Sequence, residues 1–188
     1  MQFIRQQLTL DDVSEPTLEP LAYYKIVPEA FAPEWGTLHA SCFDLRACLP
    51  PNTGLVAYGQ NNIKYSKASS DEEIPQISIQ PFERVLVPTG LILDIPVGCS
   101  VRLHSRSGFA LKQGLVLANH EGVIDSDYVD PTYILVTNTS TVPVTIAHGD
   151  RIAQGEMILD HDYEIFESFY KPQKKTDRSG GLGSTGVK

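Results

Sequence analysis

Residues 105–108, Ser105-Arg106-Ser107-Gly108, combine a guanidinium group, two hydroxyls and a glycine. The glycine lets backbone N–H groups approach a ligand closely, and the guanidinium binds anions, so the segment suits a phosphate group. Ser and Gly are also common turn residues, and for so short a segment taken alone a plain surface turn is the more economical interpretation. The segment alone therefore leaves both interpretations open.

Two carboxylates lie close together at Asp125 and Asp127, directly after Val123 and Ile124. If the segment is extended, both carboxylates lie on the same face of a strand. If it turns, one can point at a site while the other accepts backbone hydrogen bonds. An Asx-turn would explain either residue without any chemistry.

The C-terminus is glycine-rich and offers backbone N–H groups, the hydroxyls of Ser184 and Thr185, and the nearby Arg178. It lacks the lysine and the following helix of a Walker P-loop. Residues 171–188 carry a net charge of +4, whereas the whole chain carries −8, so the preceding 170 residues sum to −12. A basic tail on an acidic body suggests a local role with an anion. We expect this tail to be mobile unless a ligand or a neighbouring subunit orders it.

Strand signals dominate the segments that must position these residues. Short apolar runs alternate with Gly, Pro, Asn and Asp, and only Ser107–Lys112 favours a short helix. The pattern predicts an all-β protein, a sandwich or jelly roll. The runs are Arg84–Pro96, interrupted at Pro88-Thr89-Gly90, then Gly114–Ala118, Tyr133–Thr137, Val142–Ile146 and Ile152–Leu159.

The length of 188 residues fits one domain, which we place at 1–170, followed by the tail 171–188. The polar segment Tyr58–Gln80 favours an exposed loop or arm, either a solvated insertion or a surface for a protein partner.

Three cysteines without paired spacing, and acidic residues near the N-terminus, predict a cytoplasmic protein without a signal peptide. The net charge of −8 and the absence of long apolar runs argue against nucleic acid and membranes as partners. The five histidines show no zinc spacing.

Five segments, taken together and in order, resemble the motifs of the trimeric dUTPase family. Ser41-Cys-Phe-Asp-Leu45 is similar to the first motif, AGYDL, and Arg106-Ser-Gly-Phe-Ala110 to the second, RSGLA. Residues 112–128 follow the uracil hairpin and third motif, His148–Gln154 the fourth, GDRIAQ, and Arg178–Gly186 the fifth, RGxGGFGSTG. The resemblance implies a β-jelly roll, a homotrimer with shared active sites, and Mg²⁺-dependent hydrolysis of dUTP to dUMP and pyrophosphate.

The resemblance also implies a role for each matching residue. Asp125 would be the general base that activates water for attack on the α-phosphate. Magnesium would be held by the substrate phosphates and water, with Asp44 as a candidate contact of its water ligands. The substrate would be bound by the uracil readers Asn119, Val123 and Ile124, the deoxyribose-packing Tyr128, the phosphate ligands Arg106, Ser107, Gly108 and Gln154, and the tail residues Arg178, Leu182, Gly183, Ser184 and Thr185.

Several positions depart from the family pattern. Leu182 stands where the fifth motif has a Phe that stacks on uracil, and Val129-Asp130-Pro131 replaces the usual RGE. A dCTP deaminase would share the fold, but it needs a glutamate on the strand after the third motif, and Thr132–Thr137 contains no carboxylate. A non-catalytic or dual-role protein-interaction module of the same fold is the other alternative.

Overall fold

The computed structural model describes residues 19–161 and 163–177. Within these residues the chain forms fourteen strands and one short helix. They are β1 (Ala22–Lys25), β2 (Glu34–Trp35), β3 (Phe43–Arg46), β4 (Gly54–Tyr58), β5 (Lys64–Ala68), β6 (Gln76–Ile79), β7 (Arg84–Pro88), β8 (Leu91–Asp94), β9 (Cys99–His104), α1 (Ser107–Gln113), β10 (Leu115–Leu117), β11 (Glu121–Asp125), β12 (Tyr133–Asn138), β13 (Val144–Ala147) and β14 (Arg151–Leu159).

Two five-stranded antiparallel sheets enclose most of the core. One has the order β10-β12-β7-β4-β5 and the other β11-β9-β14-β3-β2, while β1-β8 and β13-β6 form two-stranded sheets. Alternate residues of each strand point inwards, as in β7, where Val85 and Val87 are fully buried between partly exposed neighbours. The predicted all-β fold is confirmed.

The local predictions around the candidate site agree closely with these elements. The helix predicted at Ser107–Lys112 is α1. The interruption at Pro88-Thr89-Gly90 separates β7 from β8, and Gly90 has a φ of 71°, a conformation that favours glycine. The strands predicted in the second half of the chain correspond to β10, β12, β13 and β14.

The segment Tyr58–Gln80, predicted to be an exposed loop or arm, is largely exposed, but the prediction of a loop was wrong because the segment contains two strands. β4 and β5 form a hairpin on the edge of the first sheet, and β6 buries Ile77 and Ile79 while pairing with β13. Because β5 is an edge strand whose residues are mostly exposed, its sequence shows no apolar alternation. Binding of a protein partner by this segment stays a prediction.

A buried carboxylate fastens β5 to the body. Glu83 is 1% exposed and accepts hydrogen bonds from the Tyr65 hydroxyl at 2.5 Å, Lys67 Nζ at 2.7 Å and the Gln80 backbone N–H at 2.6 Å. Burial, together with the hydrogen bond to Glu83 and its charge, raises the pKa of Tyr65 to about 12. Lys67 supplies the counter-charge that burying a carboxylate requires.

All three cysteines lie in the described residues and none forms a disulfide. Among the described residues, no helix is long and apolar enough to cross a membrane.

Candidate active site

A cavity of about 330 Å³ lies where β10 and β11, the edge strands of the two large sheets, separate. We call it the hairpin cavity. Five of the residues predicted to read the nucleoside or activate water line it: Asn119, Val123, Ile124, Asp125 and Tyr128.

The turn between β10 and β11 shapes this cavity. His120 adopts a φ of 63°, which allows the chain to reverse tightly between the two sheets. Gly122 lies so close to Leu103 that a Cβ there would come within 3.0 Å of the leucine Cβ. A side chain at position 122 would therefore push β11 away from β9.

Asp125 is the last residue of β11 and is exposed. The chain turns immediately after it, and the Tyr128 N–H donates to the Asp125 carbonyl at 3.1 Å. Asp127 lies in this turn and is also exposed. The segment therefore turns after Asp125, and the two carboxylates do not share a strand face.

Tyr128 is held by its side chain as well as by its backbone N–H. Its hydroxyl donates to the Pro131 carbonyl at 3.0 Å. Burial raises the pKa of the Tyr128 phenol above its ordinary value, and Asp130 and Tyr133 raise it further. The phenol therefore stays protonated at neutral pH and can keep donating this hydrogen bond.

A second group of residues, which we call the arginine cluster, is built around Asp44. Arg106 Nε donates to Asp44 Oδ1 at 2.8 Å, and Arg151 Nη1 donates to Asp44 Oδ2 at 3.0 Å. Arg106 Nη1 also donates to the Arg151 carbonyl at 3.2 Å. Asp44 is 8% exposed, so it orients both guanidinium groups from a mostly buried position. Arg151 was not among the predicted site residues. Its position within the motif GDRIAQ was the signal in the sequence that could have identified it as part of this cluster.

The other predicted phosphate ligands lie beside the arginine cluster. Strand register places Gln154 opposite Asp44 on one side and His104 on the other. Ser107 and Gly108 form the first turn of α1, where backbone N–H groups lack partners within the helix. The preceding Ser105 hydroxyl accepts the Leu117 N–H at 2.9 Å and so ties this segment to β10.

The described structure does not bring Asp125 and Arg106 together within one chain. Asp125 pairs with Ser100 at one end of the β9–β11 ladder, whereas Arg106 lies beyond His104 at the other end. Six residues of extended chain separate Ser100 from Arg106, which corresponds to on the order of 20 Å. A separation of this size favours a site in which Asp125 and Arg106 come from different chains.

The tail predictions for Arg178, Leu182, Gly183, Ser184 and Thr185 lie outside the described residues. Between residues 19 and 177, apart from 162, no three His, Cys, Asp or Glu side chains cluster as a metal site would require. The predicted contact between Asp44 and the waters of Mg²⁺ stays a prediction, since the contacts found for this carboxylate are with arginines.

Comparison with known proteins gives a consistent result. The family model described as dUTPase matches residues 74–186. The deoxyuridine 5'-triphosphate nucleotidohydrolase of Dinoroseobacter shibae is 40% identical over 154 residues, which cover 82% of this chain and 86% of that protein.

Two solved structures show the same fold. A variant of the Staphylococcus bacteriophage 80alpha dUTPase with dUpNHpp has a TM-score of 0.68 at 18% identity and covers 89% of this chain and 99% of its own. A variant dUTPase of phage phi11 of S. aureus, which coordinates a structural Mg(II) ion, has a TM-score of 0.63 at 17% identity. That match covers 82% of this chain and 100% of the phage chain.

Proposed function

Because this chain belongs to the dUTPase family, we propose that it hydrolyses dUTP to dUMP and pyrophosphate. The observation that carries the proposal is the hairpin cavity, which gathers a carboxylate, a carboxamide and a tyrosine in a space of about 330 Å³. That volume lies within the range of small-molecule sites.

Asp125 acts as the general base in the proposed reaction. It accepts a proton from water while the water oxygen forms a bond to the α-phosphorus, and the bond from that phosphorus to the bridging oxygen breaks. Pyrophosphate leaves with the bonding electrons. The exposure of Asp125 at the end of β11 supports this role, because the attacking water must reach it.

The remaining residues of the hairpin cavity select the nucleoside. Asn119 and the backbone of Val123 and Ile124 hydrogen-bond to the uracil edge. Tyr128 packs against the deoxyribose and leaves no room for a 2′-hydroxyl, so UTP is rejected. The hydrogen bond from Tyr128 to Pro131 supports this selection, because a fixed ring excludes an added atom better than a mobile one.

The arginine cluster binds the triphosphate. Arg106, Ser107, Gly108 and Gln154 contact phosphate oxygens, and Asp44 with Arg151 positions the Arg106 guanidinium. Arg178, Gly183, Ser184 and Thr185 cover the triphosphate, and Leu182 covers the uracil ring by dispersion. Phosphoryl substitution depends mainly on positioning and charge neutralisation, which these groups supply.

Magnesium fits this site as a partner of the substrate. Mg²⁺ is usually bound through substrate phosphates and water rather than by a cluster of protein carboxylates. When bound, it neutralises charge on the phosphates.

The functional unit is a homotrimer in which neighbouring subunits complete each site. The separation of on the order of 20 Å between Asp125 and Arg106 along one ladder supports this arrangement. So does the segment after β14, which exposes a series of large apolar side chains: Tyr163, Ile165, Phe166, Phe169 and Tyr170. Such an exposed series is typical of a surface that contacts another chain.

Asp125→Asn tests the reaction. The amide has nearly the same shape but cannot accept the proton, so kcat should fall by at least about a hundredfold while dUMP still binds. Asp127→Asn is the matched control, because it changes the other exposed carboxylate of the same turn and should retain turnover. An Asp125→Asn variant with near-native kcat would rule out this base.

A further inference from the structure

One buried hydroxyl beside the hairpin cavity has no partner. Thr132 is 2% exposed and lines the cavity together with Asp125 and Tyr128. Within the described residues, its Oγ1 is the one fully buried side-chain polar atom that makes no hydrogen bond. A buried hydroxyl without a partner loses its hydration and gains nothing in return.

The backbone of Thr132 is fully used. Its N–H donates to the Leu91 carbonyl at 2.8 Å, and its carbonyl accepts the Thr89 N–H at 3.1 Å and the Thr89 hydroxyl at 2.7 Å. The backbone of Thr132 is therefore held in place by β8 and by the turn before it. This leaves the hydroxyl as the polar group of Thr132 that has no hydrogen-bond partner.

Thr132 also lies near the part of the cavity where Tyr128 is fixed, since the Tyr128 hydroxyl is bound to the carbonyl of the preceding residue, Pro131. A second cavity of about 200 Å³ also adjoins Thr132, but it is lined mainly by apolar groups such as Ile26, Val27 and Pro50. The hairpin cavity, with Asn119 and Asp125, is the more polar of the two surroundings.

We propose that the Thr132 hydroxyl is a binding residue for the nucleoside, which hydrogen-bonds to an oxygen of the substrate. This inference rests on the proposed function. The partner is the 3′-hydroxyl of the deoxyribose or a uracil carbonyl, both of which have oxygens that can accept a hydrogen bond from a threonine hydroxyl. The β- and γ-phosphates are excluded as the partner, because their proposed ligands lie in the arginine cluster.

Thr132→Val and Thr132→Ser test the proposal through dUMP binding, measured by calorimetry on the full chain. Valine keeps the shape and removes the hydroxyl, so Kd for dUMP should rise about tenfold, the effect of one hydrogen bond. Serine keeps the hydroxyl and should bind dUMP nearly as the parent does. The Tm of unliganded Thr132→Val should equal or exceed that of the parent, because valine has no hydroxyl to leave unpaired.

Thr137→Val, in the strand β12 that follows Thr132, is the matched control. The Thr137 hydroxyl donates to the Glu83 carbonyl at 3.1 Å, and Thr137 does not line the cavity. The substitution should lower Tm and leave dUMP affinity unchanged.

The substrate oxygen is identified with 2′,3′-dideoxyuridine triphosphate. If Thr132→Val lowers kcat/KM for dUTP but not for the dideoxy nucleotide, the partner is the 3′-hydroxyl. If it lowers kcat/KM equally for both nucleotides, the partner is the uracil.

Two results would overturn the proposal. If Thr132→Val binds dUMP as the parent does, the hydroxyl is satisfied by an ordered water alone. If the valine and serine variants lose affinity equally, the effect is one of packing. Neither result would affect the proposed hydrolysis, which depends on Asp125 and is tested separately.

Discussion

The Asp44 carboxylate uses one oxygen for Arg106 and the other for Arg151. We expect Asp44→Asn to lower kcat/KM for dUTP by about tenfold, because Arg106 loses a fixed orientation and phosphate binding depends on position. The free energy of unfolding should also fall, by about 1–3 kcal/mol, since a mostly buried charge-assisted contact is lost.

Glu34→Gln is the control for Asp44→Asn in steady-state kinetics and urea unfolding. Glu34 pairs with Arg46 at 3.3 Å on the exposed edge of the same sheet, with its side chain 62% exposed. An exposed pair contributes little to stability, so both measurements should stay near the parent values. If Asp44→Asn leaves kcat/KM unchanged, Asp44 has no positioning role.

At the residue scale, the sequence predicted which residues gather in the hairpin cavity but not how the arginine cluster is held together. Asn119, Asp125 and Tyr128 are close in the chain, so one hairpin places them. Asp44 and Arg151 are 107 positions apart, and only the pairing of β3 with β14 brings them into contact. Such contacts depend on sheet register, which a single sequence does not define.

At the element scale, Lys67 neutralises the buried Glu83 carboxylate that ties β5 to the body. Lys67→Met leaves the Glu83 carboxylate buried without its counter-charge, so the free energy of unfolding should fall by about 2–3 kcal/mol. Lys64→Met, on the exposed side of the same strand, should change it little. Urea unfolding followed by circular dichroism measures both, and equal values for the two variants would contradict the proposed role of Lys67.

The same hairpin shows why part of the fold could not be predicted. The strands β7, β12 and β14 show apolar runs because one side of each strand faces the core. In β5 the sequence KYSKA contains two lysines and pairs on one side only, so it resembles a loop in composition. Its strand conformation comes from pairing with β4, a tertiary effect that overrides local preference.

At the scale of the whole molecule, the proposed homotrimer can be tested through the two halves of the proposed site. In a cyclic trimer each site would take Asp125 from one subunit and Arg106 from its neighbour. Asp125→Asn and Arg106→Gln homotrimers should therefore both be inactive. Each variant, however, still contributes one intact half to a neighbouring subunit.

Mixed trimers of these two variants should recover activity. A mixed trimer contains two copies of one variant and one copy of the other. In either composition, one of the three sites combines a native Asp125 with a native Arg106. Turnover should therefore reach about a third of the parent value. Co-expression with two affinity tags and purification over both supplies the mixed species. Asp125→Asn mixed with Asn119→Ala is the control, because both residues belong to the hairpin cavity of one chain and no native cavity can form. If the Asp125→Asn and Arg106→Gln mixture stays as inactive as its parents, the site is not shared between subunits, and Asp125 and Arg106 must act within one chain after a rearrangement of the β9–β11 ladder.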